Sequence, residues 1–185
     1  MILIFIGFFL FLSIHLLTLS KAMRSTLVSK FGLNSYKAVF SLISLLGLSF
    51  MLTARFDAGE YVKDLNLTFY SLRVPIMVIS NILIISAYIP NNHLKKFFKH
   101  PMLIGIMLWS FSHFMFNQHM NHLLMFMAFF VFSVIMTVGL IYRDRFETIQ
   151  VCAKPVNTLM SLVLGTGIYL VFLFLHGHIA GVELI

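Results

Sequence analysis

Two of the eight histidines, His15 and His113, lie well inside apolar stretches of the sequence. Ionisable side chains inside a membrane are costly, so each of the two needs a specific reason to be there. An imidazole can hydrogen-bond to a neighbouring helix, carry a proton near neutral pH or bind a metal. Two imidazoles on separate helices could also hold a haem iron, for which histidine is a common ligand. The residues alone leave structural hydrogen bonding and metal binding both open.

The composition is that of an integral membrane protein. The chain has 185 residues, of which 60% are hydrophobic and only 10% charged, against roughly 25% charged in soluble domains. The net charge of +7 does not indicate nucleic-acid binding, because the basic residues cluster at the ends of apolar runs. The single cysteine, Cys152, excludes an internal disulfide and covalent c-type haem attachment.

Six apolar runs predict an all-α protein, a bundle of about six transmembrane helices in one domain over 1–185. A spanning helix needs roughly 20 residues. The runs cover residues 2–20, 36–54, 74–90, 102–118, 121–142 and 156–176. The first run lacks a preceding basic region and a small-residue cleavage site, so we expect it to stay as a helix.

The basic residues predict the orientation. Ten lysines and arginines lie in the first, third and fifth loops, and three lie in the second loop beside acidic residues. Because cytoplasmic loops carry the excess of Lys and Arg, both termini are expected on the non-cytoplasmic side.

The remaining polar residues have structural interpretations. Asn157, Ser161, Gly165 and Tyr169 recur every four residues, which predicts a helix-packing seam. Ser80 and Asn81 predict hydrogen bonds between helices. Four histidines lie near the predicted outer face, where solvated imidazoles are expected: His119, His122, His176 and His178.

The stretch "KHPMLIGIMLWSFSHF", Lys99 to Phe114, is the most specific motif in the chain. It resembles the signature "[RK]HP-x-x-x-G-x-x-LW-x-x-x-H" of the NnrU family. "FFLFLSIHLL" resembles the family's first helix, "MRSTLVSKFGLNSYKAVFSLISL" its second conserved block, and "LFLHGHIAGVEL" its closing segment. The similarity therefore runs over almost the whole chain.

The resemblance implies a multi-pass protein of the bacterial inner membrane that binds haem b. The family is named for a protein linked to nitrite and nitric oxide respiration in denitrification. It also includes 15-cis-zeta-carotene isomerase, in which a redox-dependent change of haem ligation is thought to enable isomerisation. By this resemblance His15 and His113 are the expected iron ligands, and His100 matches the motif histidine. An isomerase acting on a hydrophobic isoprenoid and a factor supporting nitrogen-oxide respiration both fit.

Three further residues are candidates around such a haem. Arg24 and Lys99 could meet the haem propionates, as cations commonly do with carboxylates, or serve only as positive-inside anchors. His100 precedes Pro101, which suits a first helical position, so His100 is expected at or near the N-cap. It is the candidate catalytic residue, or else a cap that closes the loop.

The pair His15 and His113 raises a difficulty of depth. At about 1.5 Å per helical residue, the two histidines are expected at depths that differ by about 13 Å. The fourth helix could start outside the membrane or tilt strongly, or His15 and His100 could be the closer pair.

A second enzyme class shares part of the motif. "KHPMLIG" also resembles the "RHPxYxG" motif of membrane methyltransferases that use S-adenosylmethionine on lipids or isoprenoids. The acidic pair that those enzymes carry downstream is missing from this chain. The methyltransferase is the alternative to a haem protein.

Overall fold

The computed structural model describes residues 1–64, 67–146 and 152–181. Its helices coincide with all six apolar runs. The α-helices are α1 (Ile2–Leu16), α2 (Lys21–Phe31), α3 (Leu33–Met51), α4 (Arg73–Ser86), α5 (His93–Phe98), α6 (Pro101–Phe116), α7 (Met120–Arg143) and α8 (Pro155–Ala180). The predicted all-α class is therefore confirmed for the described residues. Residues 182–184, the last three of the closing segment "LFLHGHIAGVEL", lie outside the described residues.

Four helical segments are long and apolar enough to cross a membrane. They are Ile2–Leu19, Leu33–Ala54, Met120–Arg143 and Pro155–Ala180. Two further apolar helical segments, Tyr70–Ser86 and Pro101–Phe116, are shorter. The described residues therefore support a multi-pass membrane protein through four candidate membrane-spanning helices. The number of six crossings and the orientation of the termini stay predictions.

The helices form two compact units, and each unit combines two separate stretches of the chain. Of the described residues, the first unit contains 1–63 and 118–146, and the second contains 64, 67–117 and 152–181. The first therefore holds α1, α2, α3 and α7, and the second holds α4, α5, α6 and α8.

In the first unit, two glycines bring α1 and α3 into backbone contact. A Cβ atom on Gly7 would lie 2.6 Å from the Gly47 carbonyl oxygen, and one on Gly47 would lie 2.8 Å from the Gly7 oxygen. Only glycine allows such an approach. The loop that follows α3 is bonded to the start of α7. The Met120 amide donates to the Glu60 carbonyl, and the Val62 amide donates to the Gln118 carbonyl.

At the other end of the first unit, Arg143 bonds to two separate segments of the chain. Its Nη1 donates to the Thr18 carbonyl at 2.9 Å, and its Nε lies 2.6 Å from Oδ1 of the buried Asp144. The arginine thereby supplies a donor to a carbonyl two residues beyond the end of α1, where intrahelical partners run out.

In the second unit, α4 is the central helix. The Ser80 hydroxyl donates to the Gly105 carbonyl of α6 at 2.8 Å, which confirms its predicted interhelical bond. The Asn81 amide instead donates to the Met77 carbonyl of its own helix, so the prediction for Asn81 was wrong. On α8, the seam prediction is confirmed, because the buried residues of that helix are Ser161, Gly165 and Tyr169.

Gly165 is the tightest point of the α4–α8 contact. A Cβ atom there would lie 2.5 Å from the Ile82 Cα. We expect Gly165→Ala to lower the free energy of unfolding by about 1–3 kcal/mol, the range for overpacking a close contact. The measurement is loss of monodisperse protein on heating in detergent, followed by size-exclusion chromatography.

Gly167→Ala is the matched control for this prediction. It lies on the same helix, is exposed, and a Cβ atom added there would have nothing within 4 Å. Equal midpoints for the two variants would contradict the packing role of Gly165.

Candidate functional site

His15 lies near the end of α1 among aromatic side chains. Its ring centroid is 4.3 Å from that of Phe11, 5.0 Å from that of Phe40 on α3 and 5.0 Å from that of Phe132 on α7. Its Nδ1 lies 2.6 Å from the Phe11 carbonyl oxygen. The three main helices of the first unit thus fix the ring from three sides.

His113 lies in the last turn of α6 and is held in a similar way. Its Nδ1 lies 2.8 Å from the Trp109 carbonyl oxygen, one turn earlier, and its ring centroid is 4.9 Å from that of Trp109. The Asn117 amide donates to the His113 carbonyl at 2.8 Å and so satisfies one acceptor at the end of the helix.

These two contacts decide which nitrogen of each ring is protonated. A carbonyl oxygen has no proton to give, so Nδ1 must be the donor in His15 and in His113. The lone pair of each neutral imidazole then lies on Nε2. Metal-binding histidines commonly donate their other N–H to a carbonyl in this manner. Both residues therefore fit the donor chemistry of a haem ligand.

The structure places the two predicted ligands in different units, His15 in the first and His113 in the second. It brings a different histidine to His113. The ring of His176, on α8, lies 6.5 Å from that of His113, with the planes inclined by 25°. The sequence pattern had assigned His176 to the solvated outer face. The signal that could have found it is its position seven residues after Tyr169, on the same face of α8.

His100 occupies the N-cap of α6 with Pro101 in the first turn, as predicted. The helix has no side-chain capping hydrogen bond at this end, and the Nε2 atom of His100 is buried. A simple capping role for the side chain is thus not what the geometry favours. Lys99, just before it, is exposed and has a positive φ of 56°.

Arg24 lies on α2 in the first unit. Its guanidinium carbon is 5.8 Å from the centre of the Tyr36 ring, and the ring of Tyr36 is 6.2 Å from that of Phe40. Phe40 in turn contacts His15. Aromatic contacts thus connect Arg24 to His15. The buried Tyr36 hydroxyl has no hydrogen-bond partner among the described residues.

Two other histidines meet in the first unit. The rings of His119 and His122 are 6.0 Å apart and inclined by 77°. Nδ1 of His119 lies 3.4 Å from the Gly59 carbonyl oxygen, so this side chain takes part in joining the loop to α7. Within the described ranges, no three His, Cys, Asp or Glu side chains come together as a metal site.

Comparison with known proteins identifies one family. The model of the NnrU protein family matches residues 3–184, nearly the entire chain. No curated protein and no solved structure matches.

The buried hydroxyl of Tyr36, which lies between Arg24 and Phe40, can be tested in the protein without any ligand. Leaving a buried hydroxyl unsatisfied costs about 1–3 kcal/mol, so Tyr36→Phe is expected to leave the free energy of unfolding unchanged or to raise it. Tyr88→Phe is the control, since its hydroxyl makes only a 3.7 Å contact with the Met102 sulfur at the surface. A clear loss of stability for Tyr36→Phe alone would show that the hydroxyl already has a partner.

Proposed function

Since the chain belongs to the NnrU family, we propose that it is a haem b-binding membrane protein in which His113 is an axial ligand of the iron. The observation that carries this proposal is the 2.8 Å contact of His113 Nδ1 with the Trp109 carbonyl. It fixes the ring and leaves the lone pair on Nε2, the arrangement that metal-ligating histidines use. His15 remains the second ligand that the sequence predicts, with its own Nδ1 held by the Phe11 carbonyl.

Haem b in this protein would supply a redox-active iron inside an apolar helical unit. The protein's part is to hold the ligand rings in one orientation and to limit the access of water, which are levers on haem reactivity. In the first unit the rings of Phe11, Phe40 and Phe132 contact His15, which is half-buried. Arg24 and Lys99 are the proposed partners of the propionates.

The activity that fits this arrangement is redox-dependent cis–trans isomerisation of a hydrophobic polyene or isoprenoid. The second candidate function within the same family is that of a factor that supports nitrite and nitric oxide respiration. His100 is the proposed supporting residue in either reading, because its Nε2 is buried at the start of α6.

We propose six membrane crossings in the bacterial inner membrane, with both termini outside the cytoplasm. The four long helices support four crossings directly. The 14 residues of α4 and 16 of α6 extend about 21 and 24 Å at 1.5 Å per residue. These lengths fall short of a hydrocarbon core about 30 Å thick, so flanking turns or local thinning must complete the crossing.

Reporter fusions test this topology. A reporter that is active only outside the cytoplasm should be inactive when fused after Lys99 and active when fused after Asn117 or Ile185. The excess of basic residues in the odd loops is the physical reason. Equal activity after Lys99 and after Asn117 would show that α6 does not cross the membrane.

The haem proposal is tested by the absorption spectrum of the purified protein and by its ratio of haem to protein. The purified protein should show a Soret band and a pyridine haemochrome of haem b. His113→Ala should lose most of the haem or convert low-spin iron to high-spin, because one strong axial ligand is gone.

His100→Ala serves as the comparison variant, since a supporting residue should affect function more than haem content. A haem loss equal to that of His113→Ala would make His100 a ligand instead. A colourless wild-type protein that binds S-adenosylmethionine would favour the alternative, a methyltransferase acting on a lipid or isoprenoid.

A further inference from the structure

A cavity of about 440 Å³ lies at the end of the first unit where α1 and α7 begin. Sites for small molecules have volumes of about 300–1,000 Å³. The membrane-spanning segments of these two helices begin at Ile2 and Met120, so the cavity lies at the boundary between membrane and water. Its lining comes from three separate segments of the unit: residues 1–4, Thr53, Ala54, Asp57 and Asn121.

Asn121 brings an unsatisfied acceptor to this cavity. The residue is only 3% exposed, and its Oδ1 is buried with no hydrogen-bond partner among the described residues. The orientation of the amide is fixed, because Nδ2 donates to the Asp57 carbonyl at 2.9 Å and a carbonyl can only accept. Turning the amide over would bring two oxygens together. Oδ1 therefore lacks a donor, which is unfavourable for a buried acceptor.

Two other lining side chains also present acceptors. One oxygen of the exposed Asp57 carboxylate accepts from the Gly59 amide at 3.0 Å, and the second oxygen has no partner among the described residues. The Thr53 hydroxyl donates its proton to the Phe50 carbonyl at 2.7 Å, so only lone pairs remain on its oxygen. The polar side of the cavity thus offers acceptor oxygens and one negative charge.

An apolar groove adjoins the cavity, and Ile4 lines both. The groove has a volume of about 130 Å³. It is lined by apolar side chains of the two helices, among them Phe5 and Phe8 of α1 and Leu124, Ala128 and Val131 of α7. A groove of this kind on a membrane-spanning surface is suited to a hydrocarbon chain.

The groove has the depth of one leaflet of a bilayer. Val131 lies eleven residues beyond Met120, the first residue of the membrane-spanning segment, or about 16 Å at about 1.5 Å per residue. Half of a hydrocarbon core about 30 Å thick is about 15 Å. A chain in the groove would therefore end near the middle of the bilayer, with its polar head at the cavity.

The chemistry of the cavity selects among head groups. The Asp57 carboxylate favours a cation, and the Asn121 Oδ1 needs an N–H or O–H donor. A primary ammonium supplies both, with three N–H donors and a positive charge. A trimethylammonium group carries the charge but has no N–H. A phosphoglycerol head has hydroxyl donors but a net negative charge, which the carboxylate repels.

From these features we propose that the cavity and groove of the first unit bind one phospholipid whose head group ends in a primary ammonium. The ammonium donates charge-assisted hydrogen bonds to the Asp57 carboxylate and the Asn121 Oδ1, and one acyl chain lies between α1 and α7. The proposal goes beyond the haem function and does not rest on it, because neither His15 nor His113 belongs to this site.

The test is native mass spectrometry of the full chain in detergent, titrated with three phospholipids that share the same acyl chains. Their head groups are phosphoethanolamine, phosphocholine and phosphoglycerol. The phosphoethanolamine lipid should bind about tenfold more tightly than the phosphocholine lipid, the order expected for one hydrogen bond to a charged group. The phosphoglycerol lipid should bind no better than the phosphocholine lipid.

Three variants locate the site. Asp57→Asn removes the charge but keeps an oxygen for the Gly59 amide, and it should abolish the preference. Glu60→Gln is the matched control, since it removes a charge from the same exposed loop at a residue outside the cavity lining, and it should keep the preference. Ala128→Leu adds three carbons to the groove and should weaken the binding of all three lipids alike.

Equal affinity of the wild type for the phosphoethanolamine and phosphocholine lipids overturns the proposal, and this comparison needs no variant to fold. A preference that persists in Asp57→Asn, or unchanged lipid affinities in Ala128→Leu, overturns it as well. So does a preference that disappears when EDTA is added, because the oxygens would then bind a divalent cation. If Asp57→Asn does not stay monodisperse, the wild-type comparison decides by itself.

Discussion

Polar groups within these apolar helices must find their partners inside the protein, and this constraint organises the structure. Water is absent from the core of a bilayer, so an unsatisfied polar atom is expensive there. The chain satisfies most such groups locally. Ser110 donates to the Ile106 carbonyl, and His15 and His113 donate to carbonyls one turn earlier. The histidines are thereby fixed in orientation by their own helices before any other contact is made.

The helices carry few polar groups, so close packing between them is also needed to hold them together. Lipid tails are as apolar as leucine, so association of helices depends on van der Waals contact and on hydrogen bonds between helices. Gly7 with Gly47 provides such a contact in the first unit, and Gly105 and Gly165 do so in the second. The Ser80 bond to the Gly105 carbonyl is possible only because the glycine lets the backbones approach.

Sequence periodicity made much of the fold predictable, but it did not predict which distant segments of the chain come into contact. The four-residue repeat from Ser161 to Tyr169 identified the buried face of α8 correctly, because a helix presents such residues on one side. The N-cap position of His100 followed from Pro101. The ring contact of His176 with His113 could not be predicted, because it depends on how α6 and α8 pack against α4. The prediction for Asn81 was wrong because the sequence does not show whether an asparagine amide donates to its own helix or to a neighbouring helix.

The interleaved order of the two units has a consequence for how the protein is made. The first unit needs α7, yet α3 ends at Met51 and α7 begins only at Met120. At about 5–20 residues per second, the ribosome takes about 3–14 seconds to bridge that gap. During this time α1 and α3 can pair through their glycines but lack the face that Phe132 supplies to His15. The second unit waits in the same way for α8. Each half-built unit must therefore remain in the bilayer with an uncovered side until the segment that completes it emerges.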